Sequence, residues 1–472
     1  MNTADRDTIA EATEPIVENS STNRKQPFPQ GFLDTISTGW AERPETLPAA
    51  RAQAPYAARR RAAVSAAFPG KRLVIEAGSL KQRSNDTDYV FRAHSAFAHL
   101  TGWASDAEPD SVLVFDPTDA GHDVTLYFRE RADRTTTEFY ADATIGEFWI
   151  GPRPALAGVA ADLGVATDHL AAFEAADGDL TLDDAELARF LSELRLVKDE
   201  FEIAEMRRAV EITAAGFDDI IRALPQAVEH ARGERVVEGV FHRRAREDGN
   251  GEGYDTIAAS GPHACYLHWT RNDGALVPGN LILVDAGVEA DSLYTADITR
   301  TLPVSGTFTE VQRRVYETVR EAADAAFAAA RVGVPFREVH GAAMTVIAER
   351  TAEWGLLPVT AEEALDADAG GQHRRYMVHG TSHHLGIDVH DCAQARREMY
   401  YDGLLEPGMV FTIEPGLYFQ IDDLTVPAEY RGIGVRIEDD ILMTADGPVN
   451  LSAGIPRTAD DVEAWIRRVQ QG

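Results

Sequence analysis

The chain has 472 residues, and 77 Asp plus Glu against 45 Lys plus Arg leave a formal net charge of −32. An acidic balance of this size repels phosphate backbones and anionic lipids, so it disfavours nucleic-acid binding and membrane-surface roles. No apolar run approaches the ~18 residues of a membrane span and no signal-peptide pattern opens the chain, so we expect a cytoplasmic protein. Cys265 and Cys392 can build neither a disulfide framework nor a cysteine-based zinc site, and we expect two free thiols.

The N-terminal part of the chain begins with a polar segment. Residues 1–30 show neither a helical nor a strand period, so we expect a disordered tail. An Ala/Arg-rich helical stretch then precedes three short apolar runs bounded by Gly, Pro and Asp, at residues 73–75, 112–115 and 124–128. Such runs predict strands. We therefore predict an α/β domain over residues 31–175 and a linker over residues 176–198.

The remainder, residues 199–472, is predicted to form a second domain. Apolar residues at helical spacing from Ile203 to Leu224 predict a long amphipathic helix that Pro225 ends. Its charged residues, Glu202 among them, are expected to form a solvated face rather than a site. A second helix is predicted over residues 309–331, and apolar runs at residues 281–284 and 409–413 predict strands. The chain is thus of mixed α/β (α+β) class.

Two aspartates stand out in the second domain. The apolar run at residues 281–284 ends in Asp285, and the chain returns twelve residues later through Asp297. Two strands joined in this way form a hairpin-like pair, which brings both carboxylates to one face near the same end. Taken alone, an Asp beside Gly is more often a turn former than a functional residue.

Two glutamates repeat this arrangement further along the chain. Glu414 ends the apolar run at residues 409–413, and Glu438 lies among apolar neighbours. A carboxylate at the end of a buried strand is costly unless it is paired or bound to a cation. For any one acid, a salt bridge to Arg300 or Arg436 is an adequate explanation. All four together favour a cation site.

Histidines supply the next indication. His379, His383, His384 and His390 fall within twelve residues, enclosed by glycines and apolar residues. One histidine with four carboxylates makes five ligands that are mostly oxygen. That is too many for a closed tetrahedral zinc site, and it suits two divalent ions bridged by carboxylates.

Together these motifs resemble the aminopeptidase P and prolidase family of pita-bread metallopeptidases. Residues 92–102 resemble the N-terminal domain signature of that family, and residues 194–198 resemble the segment that leads into its catalytic domain. The resemblance implies an N-terminal aminopeptidase P domain followed by a pita-bread (creatinase/aminopeptidase) catalytic domain. The residues that fall in matching motifs are His268, Asp285, Asp297, His379, His383, His390, Glu414, Arg436 and Glu438.

The resemblance also implies roles for these residues. The implied metal ligands, holding two divalent ions that are most often Mn²⁺, are Asp285, Asp297, His383, Glu414 and Glu438. The implied catalytic residues are His268, His379, His390, Glu414 and Arg436. Among them, Glu414 is our candidate proton carrier, His268 and His390 are candidates for stabilising the carbonyl and the oxyanion, and His379 is a candidate for lining a proline pocket. Tyr418 is a substrate-positioning candidate, with plain packing as a nearly equal alternative.

The implied activity is release of the N-terminal residue from peptides that carry proline in the second position, by a homodimer or homotetramer. The main alternative is a prolidase, which cleaves only Xaa-Pro dipeptides. The additional N-terminal domain argues against a methionine aminopeptidase. The complete ligand set argues against creatinase-like enzymes, metal-free binding proteins of the same fold and an acidic scaffold protein.

Overall fold

The computed structural model describes residues 28–43, 46–85 and 87–471. The predicted disordered tail lies outside the described residues up to position 27, and a helix begins at Gln30. Within the described ranges, no helix is long and apolar enough to cross a membrane. Cys265 and Cys392 are both buried and free, as predicted.

The strands of the N-terminal region are β1 (Leu73–Glu76), β2 (Gln82–Ser84), β3 (Thr87–Asp88), β4 (Val112–Thr118), β5 (Gly121–Phe128) and β6 (Ala166–His169). Four of them form a sheet of order β1-β4-β5-β6, in which only the β5/β6 pair is parallel, and β2 pairs with β3. Its helices are α1 (Gln30–Ile36), α2 (Ala54–Ala67), α3 (Ser95–Thr101), α4 (Thr137–Ala141), α5 (Glu147–Ile150), α6 (Leu156–Leu163) and α7 (Ala185–Leu194). The three strands predicted from the apolar runs are confirmed as β1, β4 and β5.

Helix α7 lies inside the predicted linker, residues 176–198. It begins at the N-cap Asp184, whose carboxylate accepts hydrogen bonds from two backbone N–H groups of the first turn. Leu187 and Leu191 are buried in the core of the N-terminal sheet, with Phe115 and Phe128. The predicted linker thus carries a helix that packs on the N-terminal core, and the domain boundaries remain a prediction.

The C-terminal region combines long helices with short antiparallel sheets. Its helices are α8 (Glu200–Glu229), α9 (Gly233–Asp248), α10 (Glu310–Ala329), α11 (Arg337–Glu353), α12 (Ala361–Ala364) and α13 (Ala459–Gln471). Its strands are β7 (Gly251–Glu252), β8 (Ile257–Ser260), β9 (Leu281–Ala286), β10 (Val288–Glu289), β11 (Ile298–Pro303), β12 (Val410–Ile413), β13 (Gly416–Tyr418), β14 (Gly434–Arg436), β15 (Asp439–Thr444) and β16 (Gly447–Asn450). The predicted second helix is confirmed as α10, with a capping box at its N-cap Thr309.

Two three-stranded sheets position the site. One has the order β8-β9-β11 and the other β12-β15-β16, and all their pairs are antiparallel. The predicted strands at residues 281–284 and 409–413 are confirmed as β9 and β12. Every residue of β9, β11 and β12 is buried, because helices and neighbouring strands cover both faces.

The prediction that Pro225 ends the long helix is wrong. Helix α8 continues through Pro225 to Glu229. Proline offers no N–H to the carbonyl four residues back, and here the Ile221 carbonyl accepts a hydrogen bond from Gln470 Nε2 at 3.3 Å instead. Ala227, beyond the proline, is buried at 0% exposure. Burial of that last turn and the substitute donor offset the cost of the proline.

The expectation that Glu202 belongs to a solvated face is also wrong. Glu202 is 2% exposed and accepts a hydrogen bond from Tyr294 Oη at 2.8 Å. Its other neighbours are Arg60 of α2 and His99 of α3, with Arg60 Nη2 at 3.3 Å and His99 Nε2 at 3.4 Å from its carboxylate oxygens. The N-terminal region buries this acid, which a pattern internal to α8 cannot reveal.

Candidate active site

The two aspartates lie at neighbouring ends of β9 and β11. Thr299 of β11 pairs with Asp285 of β9, so the predicted hairpin-like pair is confirmed, and Asp297 directly precedes β11. The Tyr254 hydroxyl lies 2.7 Å from Asp285 Oδ1 and 2.5 Å from Asp297 Oδ1. The Asp297 backbone N–H faces the carboxylate of Asp440, at 3.2 and 3.3 Å from its two oxygens. Both carboxylates are buried and are held from both sides.

The two glutamates approach from the second sheet. Glu414 directly follows β12, and its backbone N–H donates to the Thr381 carbonyl at 2.8 Å. Glu438 lies between β14 and β15 and is 1% exposed. Its backbone N–H donates to the Thr299 carbonyl at 3.1 Å, and Thr299 Oγ1 donates to Glu438 Oε2 at 2.7 Å. Thr299 therefore joins the glutamate half of the site to the aspartate half.

His383 is the histidine that completes the acid cluster. Its Nε2 lies 3.2 Å from Asp297 Oδ2 and 3.7 Å from Glu414 Oε1. One ligand atom each from Asp297, His383 and Glu438 fall within 4.8 Å of one another. The five predicted ligands thus converge on one place, although they come from four separate segments of the chain.

His384, the next residue, does not enter the site. Its ring packs between the rings of Phe336 and Tyr400, at centroid distances of 4.6 and 4.7 Å. Burial lowers the pKa of His384 to about 3, so the imidazole is neutral. Within the described residues, neither of its ring nitrogens has a hydrogen-bond partner.

The carboxylates of the cluster lack compensating protein charge. Burial and neighbouring acids raise the pKa of Glu438 well above its usual range, and burial raises the pKa of Glu414 to about 8. Burial also raises the pKa of Asp285, although Arg436 opposes this shift from 2.5 Å. Among the described residues, that contact is the one Arg or Lys ion pair that the four acids make. Arg300, the other candidate partner, pairs with Asp439 at 2.7 Å instead.

The donor set fits divalent cations. Burial opposes protonation of His383, but the hydrogen bond to Asp297 and the charge of Glu414 raise its pKa to about 9, so it substitutes for part of the missing positive charge. Four carboxylates and one imidazole are mainly hard oxygen donors, which suit Mg²⁺, Mn²⁺ or similar ions. Burying several acids that face one another is costly unless cations bind them.

A hydrogen-bonded row of side chains runs along one wall of the site. Tyr418 Oη lies 2.8 Å from His379 Nε2, and Arg436 Nη1 donates to the same oxygen at 3.2 Å. Burial and the charge of Arg436 lower the pKa of His379 to about 3, so its imidazole is neutral. Its Nε2 therefore accepts a hydrogen bond from the Tyr418 hydroxyl. Tyr418 thus has polar partners on both sides, which favours the positioning role over plain packing.

His390 lies on the open side of the cluster, and His268 lies nearby. The ring of His390 is 4.1 Å from that of His383, and it borders a groove of about 410 Å³ that Tyr400, Tyr401 and Arg397 also line. Burial and the charge of His383 lower the pKa of His390, and the charge of His268 contributes. His268 is exposed, and its charge also lowers the pKa of His379. His390 therefore lies directly beside the ligand candidate His383, and His268 lies near His379 and His390.

Sequence reasoning missed Tyr254. It lies in the loop between β7 and β8 and touches both aspartates, yet a single tyrosine among Gly and Asp residues matches no motif with a mechanism. Burial raises the pKa of Tyr254 well above its usual range, so it remains a protonated donor to the acids.

Comparisons with known proteins cover nearly the whole chain. Residues 204–445 match the model of metallopeptidase family M24, and residues 56–180 match the aminopeptidase P N-terminal domain. Xaa-Pro aminopeptidase 1 of Streptomyces coelicolor is 49% identical, with 98% of this chain and 97% of that protein covered. Xaa-Pro aminopeptidase 2 of the same organism is 51% identical over 92% of this chain and 95% of that protein. The solved structure of Escherichia coli aminopeptidase P in its low-pH form aligns with a TM-score of 0.75 at 31% identity, covering 90% of this chain and all of that one.

Proposed function

The chain belongs to metallopeptidase family M24, and from this premise we propose that it is an Xaa-Pro aminopeptidase. It releases the N-terminal residue from peptides with proline in the second position. The observation that carries the proposal is the cluster of Asp297, His383 and Glu438, which Asp285 joins through Tyr254 and Glu414 through His383, in a chain that aligns with Xaa-Pro aminopeptidases along nearly its full length.

These five side chains are the proposed ligands of two divalent ions, with Mn²⁺ as the proposed metal. When bound, such ions polarise a scissile carbonyl and make a nucleophilic water available at neutral pH. Two divalent ions carry a charge of +4, which balances the four carboxylates. A site whose charge is largely balanced when loaded explains why these acids lie buried with a single arginine contact among the four.

The side chains of the chain itself account for the preference for proline. A proline nitrogen has no hydrogen, so recognition rests on the shape of the ring and on a proton delivered to the leaving nitrogen. We assign that proton to Glu414. Neutral His379, held by Tyr418, lines the pocket for the proline ring, and Arg436 orients Tyr418.

His268 and His390 are the proposed stabilisers of the substrate carbonyl and of the oxyanion that develops from it. His390 borders the groove beside the acid cluster, and His268 is exposed near His379 and His390. Hydrogen-bond donors fixed in advance at a developing charge provide a large share of the rate enhancement in acyl transfer.

The test is hydrolysis of an Xaa-Pro-Yaa tripeptide after chelation, with and without added Mn²⁺, for the wild type and for His383→Ala. We expect chelation to abolish activity, Mn²⁺ to restore it in the wild type, and His383→Ala to remain inactive. His230→Ala, at an exposed helix end, is the control and retains activity. Activity that survives both chelation and His383→Ala would contradict the dimetal proposal.

The alternative function is a prolidase. Kinetics on the Xaa-Pro dipeptide beside the matching Xaa-Pro-Yaa tripeptide separate the two activities. We expect hydrolysis of the tripeptide, and hydrolysis confined to the dipeptide would identify a prolidase instead.

We further propose a cytoplasmic homodimer or homotetramer that assembles through the N-terminal region. Helix α5 leaves Phe148, Trp149 and Ile150 each more than half exposed, at 61%, 59% and 53%. A cluster of large apolar side chains at the surface is typical of a contact with another chain. Light scattering at micromolar concentration tests this proposal, and a monomer there would refute it.

A further inference from the structure

A buried glutamate outside the acid cluster connects to the site through one loop. Glu234, in the first turn of α9, has a side chain that is 0% exposed. The loop between β8 and β9, residues 261–280, carries His268 and is called here the His268 loop. Within the described residues, the hydrogen-bond partners of the Glu234 carboxylate all belong to this loop or to Ser260, directly before it.

The carboxylate of Glu234 accepts four hydrogen bonds, which is its full capacity. Oε1 accepts from Ser260 N and from His263 Nδ1, both at 2.8 Å. Oε2 accepts from Trp269 Nε1 at 2.9 Å and from Gly274 N at 2.7 Å. A carboxylate accepts two bonds per oxygen, so every acceptor site is used without an Arg or Lys partner. These four donors supply what burial of the charge demands.

The donors lie on both sides of His268 in the sequence. The rings of His263 and Trp269 stack at a centroid distance of 3.9 Å and an angle of 27°. A side chain at Gly274 would place its Cβ 2.8 Å from both Glu234 Oε2 and the His263 ring, so glycine is needed for this close approach. The Glu234 carboxylate therefore holds together the segments of the His268 loop that precede and follow His268.

Trp269 passes this constraint to its neighbour. Its indole N–H is held by Glu234, while the adjacent His268 is exposed and lies near enough to His379 and His390 for its charge to lower the pKa of both. The His268 carbonyl accepts a hydrogen bond from Thr270 N at 3.0 Å, which fixes the backbone at this point. Asn272, 0% exposed, anchors the loop further on by bonds to Ala258 N and Thr256 O.

We propose that Glu234 is a positioning residue of the reaction, which places His268 at the site by holding His263 and Trp269. The proposal rests on the function proposed above, because it is the peptide carbonyl that His268 meets. It assigns to a buried carboxylate, 34 positions before His268 in the sequence, the task of holding a catalytic side chain at the correct distance.

Two variants test the proposal, each made in the wild type and in the His268→Ala background. Glu234→Gln preserves the shape but presents an NH₂ group to two donors. Trp269→Phe retains the ring on His263 and removes one donor. Glu247→Gln, at an exposed position of α9, is the matched control. Steady-state kcat and KM on an Xaa-Pro-Yaa tripeptide are measured with metal content and melting temperature.

We expect Glu234→Gln to lower kcat/KM about a hundredfold, mainly through kcat, because a small displacement of a catalytic group costs about that much. Trp269→Phe should lower it about tenfold by the same cause. Metal content should stay at the wild-type level, since no predicted ligand is touched. In the His268→Ala background both effects should nearly vanish, because the group being positioned is absent.

If the losses in kcat/KM caused by Glu234→Gln and by His268→Ala multiply in the double variant, Glu234 acts independently of His268. That result would overturn the proposal. An unchanged kcat/KM in Glu234→Gln would overturn it too. If Glu234→Gln does not fold, the Trp269→Phe arm decides the question by the same criterion.

Tryptophan fluorescence separates this proposal from the proposed function. The spectrum of each protein minus that of its Trp269→Phe counterpart isolates the emission of Trp269. The difference spectrum should shift between the wild-type and Glu234→Gln backgrounds. An unchanged difference spectrum would show that Glu234 does not hold Trp269, and it would overturn the proposal. A wild type that binds metal but cleaves no Xaa-Pro peptide would refute the proposed function, whatever the fluorescence shows.

Discussion

Buried carboxylates occur in two regions of this molecule with opposite surroundings. Where the N-terminal and C-terminal regions meet, Asp391 contacts Arg195 at 2.8 Å and Lys198 at 3.2 Å, and Glu202 lies beside Arg60. Despite burial, the two cations hold the pKa of Asp391 well below its usual range. In the candidate metal site, the pKa of Glu414 and that of Glu438 are raised.

The difference shows what each region is built to hold. The inter-region acids contact arginine and lysine side chains of the protein itself, so their negative charge stabilises the fold without any bound ion. The site acids have one arginine contact among four and part of their charge offset by His383, and the remainder is balanced only when cations bind. Burial alone does not distinguish a metal site from a structural ion pair. The sign of the pKa shift, read together with the partners, does.

The largest expected effect comes from removing a site acid. We expect Glu438→Gln to lower kcat/KM by about a thousandfold, because a disrupted metal centre forfeits several kcal/mol of transition-state stabilisation. Metal content should fall with it. The metal-free variant should unfold at no lower urea concentration than the metal-free wild type, since it loses a buried acid that has no Arg or Lys partner.

Exposed Glu349→Gln on α11 is the control for that variant and should match the wild type in every respect. A metal-free Glu438→Gln protein that is clearly less stable than the metal-free wild type would break the comparison. It would mean that the Glu438 charge is compensated within the protein itself.

Removing an inter-region acid should have the opposite signature. Glu202→Gln leaves the buried Arg60 guanidinium with Asp199, at 2.6 Å, as its remaining anionic partner, and losing the interactions of a buried charged group costs about 2 kcal/mol. We expect the free energy of unfolding, measured by urea titration, to fall by about that amount with or without metal. Exposed Glu200→Gln, in the same helical turn, is the control. A loss seen only in the metal-free protein would contradict the assignment.

The same acid predicts a pH dependence. Burial opposes ionisation of Glu202, but the hydrogen bond to His99 and the charge of Arg60 lower its pKa to about 2 from 4.5. A group whose pKa is depressed by folding contributes stability above its unfolded pKa and loses it as the pH falls through the folded value. The stability difference between wild type and Glu202→Gln should therefore be constant above pH 4.5 and shrink from there to about pH 2. Burial lowers the pKa of His99 and Glu202 opposes that shift, so the titration of His99 differs between the two proteins and is followed separately by NMR of its imidazole.

A smaller effect is expected at the residue that spans the two aspartates. Tyr254→Phe removes the hydroxyl between Asp285 and Asp297 while keeping the ring. Groups that orient metal ligands are worth roughly 10- to 100-fold in affinity, so Mn²⁺ binding measured by calorimetry should weaken by that factor. Tyr127→Phe on β5 is the control. An unchanged affinity would show that the aspartates hold their places without the phenol.

How much of this was predictable depends on the range of the signal along the chain. Apolar runs ending in acids are local patterns, so strands β9 and β12 and their acids were found from sequence. The assignment of His383 rather than its neighbour His384 came only with the family resemblance, since alternation of hydrophobicity does not say which ring faces the acids.

The failures concern contacts between distant segments. Glu202 was assigned to a solvated face because its partners, His99 and Tyr294, are about a hundred positions away on either side. By local rules Pro225 ends α8, since proline has no N–H for the helix. The helix continues because Gln470, near the far end of the chain, donates to the Ile221 carbonyl instead. Tertiary contacts override local propensity in both cases.

The smallest expected effect tests the boundary of the site. Asp440 is buried at 0% exposure, burial and Asp297 raise its pKa well above the usual range, and it accepts from the Asp297 backbone N–H. It resembles a ligand by residue type and burial, yet the group that its carboxylate contacts is the Asp297 backbone N–H. A neutral side chain of the same shape can accept that hydrogen bond equally well, so Asp440→Asn should change the free energy of unfolding by less than about 1 kcal/mol. Metal content, measured by atomic absorption, should equal that of the wild type. A metal content below the wild-type value would place Asp440 among the ligands, and the set of uncompensated acids that bind cations would then have five members rather than four.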